Sequence, residues 1–168
     1  MTERLKTNLY TGPDDKRRRA REWRLHLPVD LRIQVERECR RLDEEADAEA
    51  LREQKPPRRH SPSQWVADAI RQRLRRDRDM LDAGAEPPQG PPRHDAARHG
   101  HMRTAKWPLT IPLDLRLAVE RECRRLDALA DADARRTGMR PVRYYPSAWV
   151  AEAIRQRFAR EGEPEQNP

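Results

Sequence analysis

The feature that most constrains this chain is a repetition. Trp23, Pro28, Cys39, Ser63, Trp65 and Ile70 recur as Trp107, Pro112, Cys123, Ser147, Trp149 and Ile154, always 84 positions later and without a gap. Between 23–76 and 107–160 roughly 33 of 54 positions are identical, which excludes chance. A repeat fixes architecture before any other signal does, and two copies are too few for a solenoid. Of the 168 residues only 35% are hydrophobic and 5% aromatic. Each copy is therefore too lean to bury a core alone, and small units of this kind are marginal without a partner. The expectation is an internal pair, each copy completing the other.

Within each copy the hydrophobic period changes from two to about 3.6. Trp23, Leu25 and Leu27 alternate with Glu22, Arg24 and His26; Trp107, Leu109 and Ile111 alternate with Lys106, Pro108 and Thr110. Period two predicts a strand with one buried face. Pro28 and Pro112 end it, and proline suits the start of a helix. Leu31, Val35, Cys39 and Leu42, matched by Leu115, Val119, Cys123 and Leu126, then line one face of a helix. Ala46 and Ala50 continue that stripe weakly, and the stretch rich in Ala, Glu, Leu and Arg extends the helix. KPPRRH breaks it in the first copy, and Gly138 is a suitable stop in the second. A second helix, SPSQWVADAIRQRL, is echoed by YPSAWVAEAIRQRF. Ser61 and Gln64 form a capping-box pattern with Pro62 at the first helical position. Tyr145 replaces that serine, which predicts a weaker start by about 1 kcal/mol. Trp65, Val66, Ala69, Ile70 and Leu74 form the apolar face, and Arg71, Gln72, Arg73 and Arg75 are read as the polar side.

The chain accordingly divides into a basic arm (1–21), a first repeat (22–76), a Pro- and Gly-rich linker (77–105), a second repeat (106–160) and a polar tail (161–168). A 29-residue linker has a typical span near 30 Å, at roughly 5–6 Å times the square root of its length, ample for the copies to meet. His94, His99 and His101 in it have no fixed element to hold a metal, and no cofactor is expected. Cys39 and Cys123 make no disulfide framework and fit buried core thiols. No segment approaches a membrane span, and the first residues have no apolar signal core, so a cytoplasmic protein is expected. Net charge is +7. Arginine supplies nearly all the positive charge, a composition suited to phosphate and guanine. There is no glycine-rich phosphate loop, metal-ligand spacing or paired nucleophile and base, so an enzyme is not expected.

The pieces LHLPVDLRIQVERECRRL and SPSQWVADAIRQRL, both repeated, resemble the ribbon-helix-helix superfamily, the Arc, MetJ and CopG type of DNA-binding protein. The matching features are a strand ending in Leu-Pro, apolar residues three and seven after that proline, a small residue eleven after it, the Ser-x-Ser opening of the second helix and its Trp-Val-x-x-Ala-Ile core. The family usually has only a few residues between its helices, whereas about 18 intervene here. The resemblance covers about two thirds of the chain. It implies a mainly α fold with one short two-stranded antiparallel β-ribbon, built as an intramolecular pseudo-dimer. Trp23, Leu25, Leu27, Trp107, Leu109 and Ile111 would hold the ribbon to its core.

The implied function is sequence-specific binding of double-stranded DNA, with the ribbon in the major groove. Glu22, Arg24, His26, Lys106, Pro108 and Thr110 are the candidate base contacts. Ser61, Ser63 and Ser147 at the second-helix starts are candidate phosphate contacts, with Arg17, Arg18, Arg19 and Arg21 in the basic arm. Such proteins are commonly repressors or autoregulators; plasmid partition and conjugation accessory roles are alternatives, with chains associating on adjacent sites. A nucleoid or plasmid location follows from these roles. A protein-interaction scaffold that binds no DNA is the rival of another class. Because Arg and His on one strand face Pro and Thr on the other, the expected site is asymmetric, with Arg24 and His26 reading one half. Pro108 fits a ribbon only where its missing N–H points away from the partner strand.

Overall fold

The computed structural model describes residues 20–85 and 103–162. It is mostly helical, with one two-stranded antiparallel sheet. Strand β1 (Ala20–Pro28) leads into helix α1 (Val29–Glu53) and then α2 (Pro62–Asp82). Strand β2 (Thr104–Pro112) leads into α3 (Leu113–Thr137) and α4 (Pro146–Glu161). Pro28 and Pro112 are each the last strand residue and the helix N-cap, so the strand-to-helix turn contains no free loop.

The strands pair in a register that runs from Ala20 opposite Pro112 to Pro28 opposite Thr104. Arg24 therefore faces Pro108, the residue 84 positions away, at the midpoint of the ribbon. One face of the ribbon, Trp23, Leu25, Leu27, Trp107, Leu109 and Ile111, is buried against the helices. The helices bring Leu31, Val35 and Cys39, Leu115, Val119, Cys123 and Leu126, and the Trp-Val-Ala clusters of α2 and α4 to a single core. Packing crosses between the copies: α2 lies against α4 and β2, and α4 against β1.

Arginines of one copy cover the tryptophans of the other. Arg73 lies 4.2 Å over the Trp149 ring and donates to the Trp149 carbonyl at 2.7 Å. Arg157, 84 positions on, lies 4.1 Å over Trp65 and donates to its carbonyl at 2.8 Å. Arg32 stands 5.9 Å over Trp107 and Arg116 5.8 Å over Trp23. A cation over an indole contributes about 0.5–2 kcal/mol, more as it is desolvated. This corrects the reading of Arg73 as part of a polar side: it is 1% exposed and paired with Asp77 at 3.4 Å. Burial pushes the Arg73 guanidinium pKa down and Asp77 opposes the shift. A lone buried charge would cost several kcal/mol, so the two must be buried together. The linker boundary shifts for the same reason. Helix α2 continues to Asp82, and Asp77, placed at the linker start from sequence, is a buried partner of Arg73.

The helix ends follow local chemistry. Ser61 Oγ accepts from the Gln64 N–H at 3.2 Å, but the Gln64 side chain turns forward to Asp68, so only half of the capping box forms. Tyr145 stands at the N-cap of α4 without a side-chain capping hydrogen bond. Gly138 ends α3 in the left-handed region at φ 70°, where glycine carries no Cβ penalty; Gln54 takes the same conformation at φ 53° after α1. Beyond Leu42 and Leu126 the long helices bury no residue, and the connections to the next helices are tied back to them instead. Asp43 accepts from the His60 backbone N–H at 2.7 Å, and Asp127 from that of Tyr144 at 2.8 Å. Arg59 pairs with Asp47 at 3.1 Å and Arg143 with Asp131 at 3.0 Å. His60 also contacts Asp43, and its backbone bond is the leading reason that carboxyl lies below its ordinary pKa.

Cys39 and Cys123 are buried free thiols. Burial pushes the Cys123 thiol from an ordinary 9.0 up to about 12, with Asp127 adding to the effect. The unfolded chain then loses this proton at lower pH than the folded chain. Stability from this group is fully present below about pH 9 and is lost as pH rises toward 12. In urea titrations from pH 8 to 11, C123A should lose less stability with rising pH than the parent chain. Parallel curves would remove the thiol from the alkaline transition.

Candidate nucleic-acid interface

The outer face of the ribbon gathers every residue expected there. Glu22, Arg24, His26, Lys106, Pro108 and Thr110 are all exposed, because the alternation that buries Trp23, Leu25 and Leu27 turns their neighbours outward. The register sorts them into three cross-strand pairs: His26 with Lys106, Arg24 with Pro108, and Glu22 with Thr110. This corrects the expected division of labour. Arg24 and His26 do not own one half; Arg24 sits at the centre, and each end carries one residue from each strand.

The edges explain how Pro108 is accommodated. The backbone N–H of His26 donates outward to Ser147 Oγ at 3.1 Å, and that of Thr110 to Ser63 Oγ at 2.9 Å. In an antiparallel strand the N–H direction repeats every second residue. Pro108 is two residues from Thr110, so its missing N–H falls on the outer edge and removes no ladder bond. The three exposed pairs are consequently of the closer, non-hydrogen-bonded kind, with Cα atoms about 4.5 Å apart.

Ser63 and Ser147 thus act first as ties. Each stands in the first turn of a second helix and binds the strand of the other copy, fixing the start of α2 beside Thr110 and the start of α4 beside His26. Each hydroxyl accepts in this bond and keeps a proton to donate elsewhere. Ser61 Oγ likewise accepts, but from the Gln64 N–H of its own helix, which it caps. The repeat itself contained the signal for this role: Ser63 recurs as Ser147, whereas Ser61 becomes Tyr145. Helix starts carry unpaired N–H groups and the positive end of the helix dipole, so an anion is favoured at both flanks of the ribbon.

The electrostatics of the face are uneven. Arg24 Nε donates to Glu22 Oε1 at 2.6 Å, with both side chains largely exposed (72% and 53%), so the pair orients the guanidinium more than it stabilises the fold. Among the described residues, Lys106 has no ion-pair partner and the His26 ring has no hydrogen bond. Arg17, Arg18 and Arg19, and the histidines at 94, 99 and 101, lie outside the described residues. Arg21 is in β1 opposite Ile111. Among the described residues no cluster of His, Cys, Asp and Glu is arranged to hold a metal, and no helix is long and apolar enough to cross a membrane.

Comparison with family models, with curated proteins and with solved structures finds no match to this chain. The site therefore stands on its geometry. The serine ties are directly testable: S63A should speed exchange of the Thr110 amide and S147A that of His26, each with about 1 kcal/mol lost from stability. Unchanged exchange at both amides would mean the ties are not formed in solution.

Proposed function

We propose that the chain is a single-chain ribbon-helix-helix pseudo-dimer that binds double-stranded DNA in a sequence-dependent way and serves as a transcriptional repressor, often of its own gene. The observation that carries this reading is the ribbon. A two-stranded ribbon fits the major groove, and this one presents Arg24, His26, Lys106 and Thr110 on its exposed face. Arginine and lysine suit guanine O6 and N7, and the threonine methyl suits thymine. The helix starts beside Thr110 and His26 flank the ribbon, where they would meet the phosphates on either side of the groove. The register supports the pseudo-dimer, since positions 84 apart face each other at its centre. So do the reciprocal Arg73–Trp149 and Arg157–Trp65 stacks.

Plasmid partition and conjugation accessory roles use the same chemistry and differ in what else the chain binds. A scaffold that does not bind DNA differs in its response to salt. Four phosphate contacts alone would weaken binding about a hundredfold between about 50 and 200 mM salt. Titration of labelled duplex DNA by fluorescence anisotropy should show that loss, and R24A/K106A should weaken binding further. Absent binding, or affinity indifferent to salt, would favour the scaffold.

A further inference from the structure

The two strands of the ribbon share a frame, Trp23, Leu25 and Pro28 matching Trp107, Leu109 and Pro112, yet the ends of its exposed face differ in charge. At one end His26 and Lys106 face each other across the strands, and neither side chain has a hydrogen-bond or ion-pair partner among the described residues. At the other end stand Thr110 and Glu22, and the Glu22 carboxylate is bonded to Arg24. The first end offers uncompensated donors and the second a carboxylate, a hydroxyl and a methyl group. Base edges in the major groove differ in the same terms. Guanine presents two acceptors, cytosine a donor, and thymine an acceptor and a methyl group.

Resting on the DNA-binding reading above, we propose that the ribbon engages its site in one fixed polarity, with the His26–Lys106 end over a G·C pair and the Glu22–Thr110 end over an A·T pair, where adenine N6 offers Glu22 a donor and thymine offers Thr110 its methyl group. Reversing the protein would take the two guanine acceptors away from Lys106, bring the Glu22 carboxylate beside them, and take Thr110 off the thymine methyl. Residues 22 to 26 span roughly 13 Å at about 3.4 Å per residue, or about four base pairs at about 3.4 Å each. Three pairs of side chains over four base pairs leave Arg24 at the centre. Its Nε is held by Glu22, which leaves the two terminal nitrogens for the O6 and N7 of one guanine. Glu22 is thus a positioning residue for Arg24 as well as the negative mark of one end. Pro108 opposite it adds no competing donor, so the central step is read from one strand only.

Selection of binding sites from randomised duplex DNA tests this with the full chain and three exposed-face variants. The parent chain should enrich a non-palindromic core of about four base pairs. H26A/K106A should flatten one end of that motif and T110A the opposite end. E22Q should lower the guanine preference at the centre while leaving or raising affinity for unrelated duplex, a split that loss of folding does not produce. Palindromes built from either half should bind about tenfold or more weakly than the selected site. A palindromic motif, or variants that flatten both ends alike, would overturn the polarity and leave DNA binding standing. No enriched motif with the parent chain would overturn the sequence-specific reading itself.

Discussion

The structure depends on one pairing: β1 against β2, in the register that sets Arg24 opposite Pro108. A two-stranded ribbon is too small to persist alone, so its stability comes from what it buries. The register decides that Trp23, Leu25 and Leu27 meet Leu109, Trp107 and Ala105 over a common core. A slip by one residue would turn the apolar residues of one strand to solvent and bring its exposed-face residues inward. The same register sends the N–H groups of His26 and Thr110 outward to the two serines and places the gap left by Pro108 on an edge.

From that pairing the helices follow. Each strand runs straight into a helix of its own copy, and each second helix crosses to the other copy's strand. The arginine-over-tryptophan contacts close the crossing at four places and recur at the same 84-residue offset. The two halves are nonetheless not copies in detail. Asp77 is buried beside Arg73, whereas the corresponding partner of Arg157, Glu161, is 40% exposed. The Trp65 and Phe158 rings lie 4.8 Å apart, whereas the first copy carries Leu74 at the position of Phe158 and forms no second ring pair among the described residues.

Much of this was legible in the sequence, and for a physical reason. Hydrophobic period is local, so the strands, the helix faces from Leu31 to Leu42 and from Leu115 to Leu126, and the glycine stop at Gly138 could be read one segment at a time. What could not be read lay between segments. Arg73 looks like a solvent residue in its own helix and becomes buried only because Trp149 and Asp77 enclose it. Whether Arg24 shares an end of the ribbon with His26 depends on register, which neither strand states alone. Ser63 and Ser147 read as helix-start residues, and their strand ties exist only across the copies.

The candidate site is thus an assembly of both copies: a strand residue from each at either end, a central arginine, and helix starts held by serines at the flanks. The central claim is that this outer ribbon face meets DNA. The most direct measurement is the amide NMR spectrum of the chain as duplex DNA is added at low salt. The account predicts shifts concentrated at Glu22, Arg24, His26, Lys106 and Thr110 and at the first turns of α2 and α4, with the distal halves of α1 and α3 unmoved. Shifts confined to those distal halves, or none at all, would contradict it.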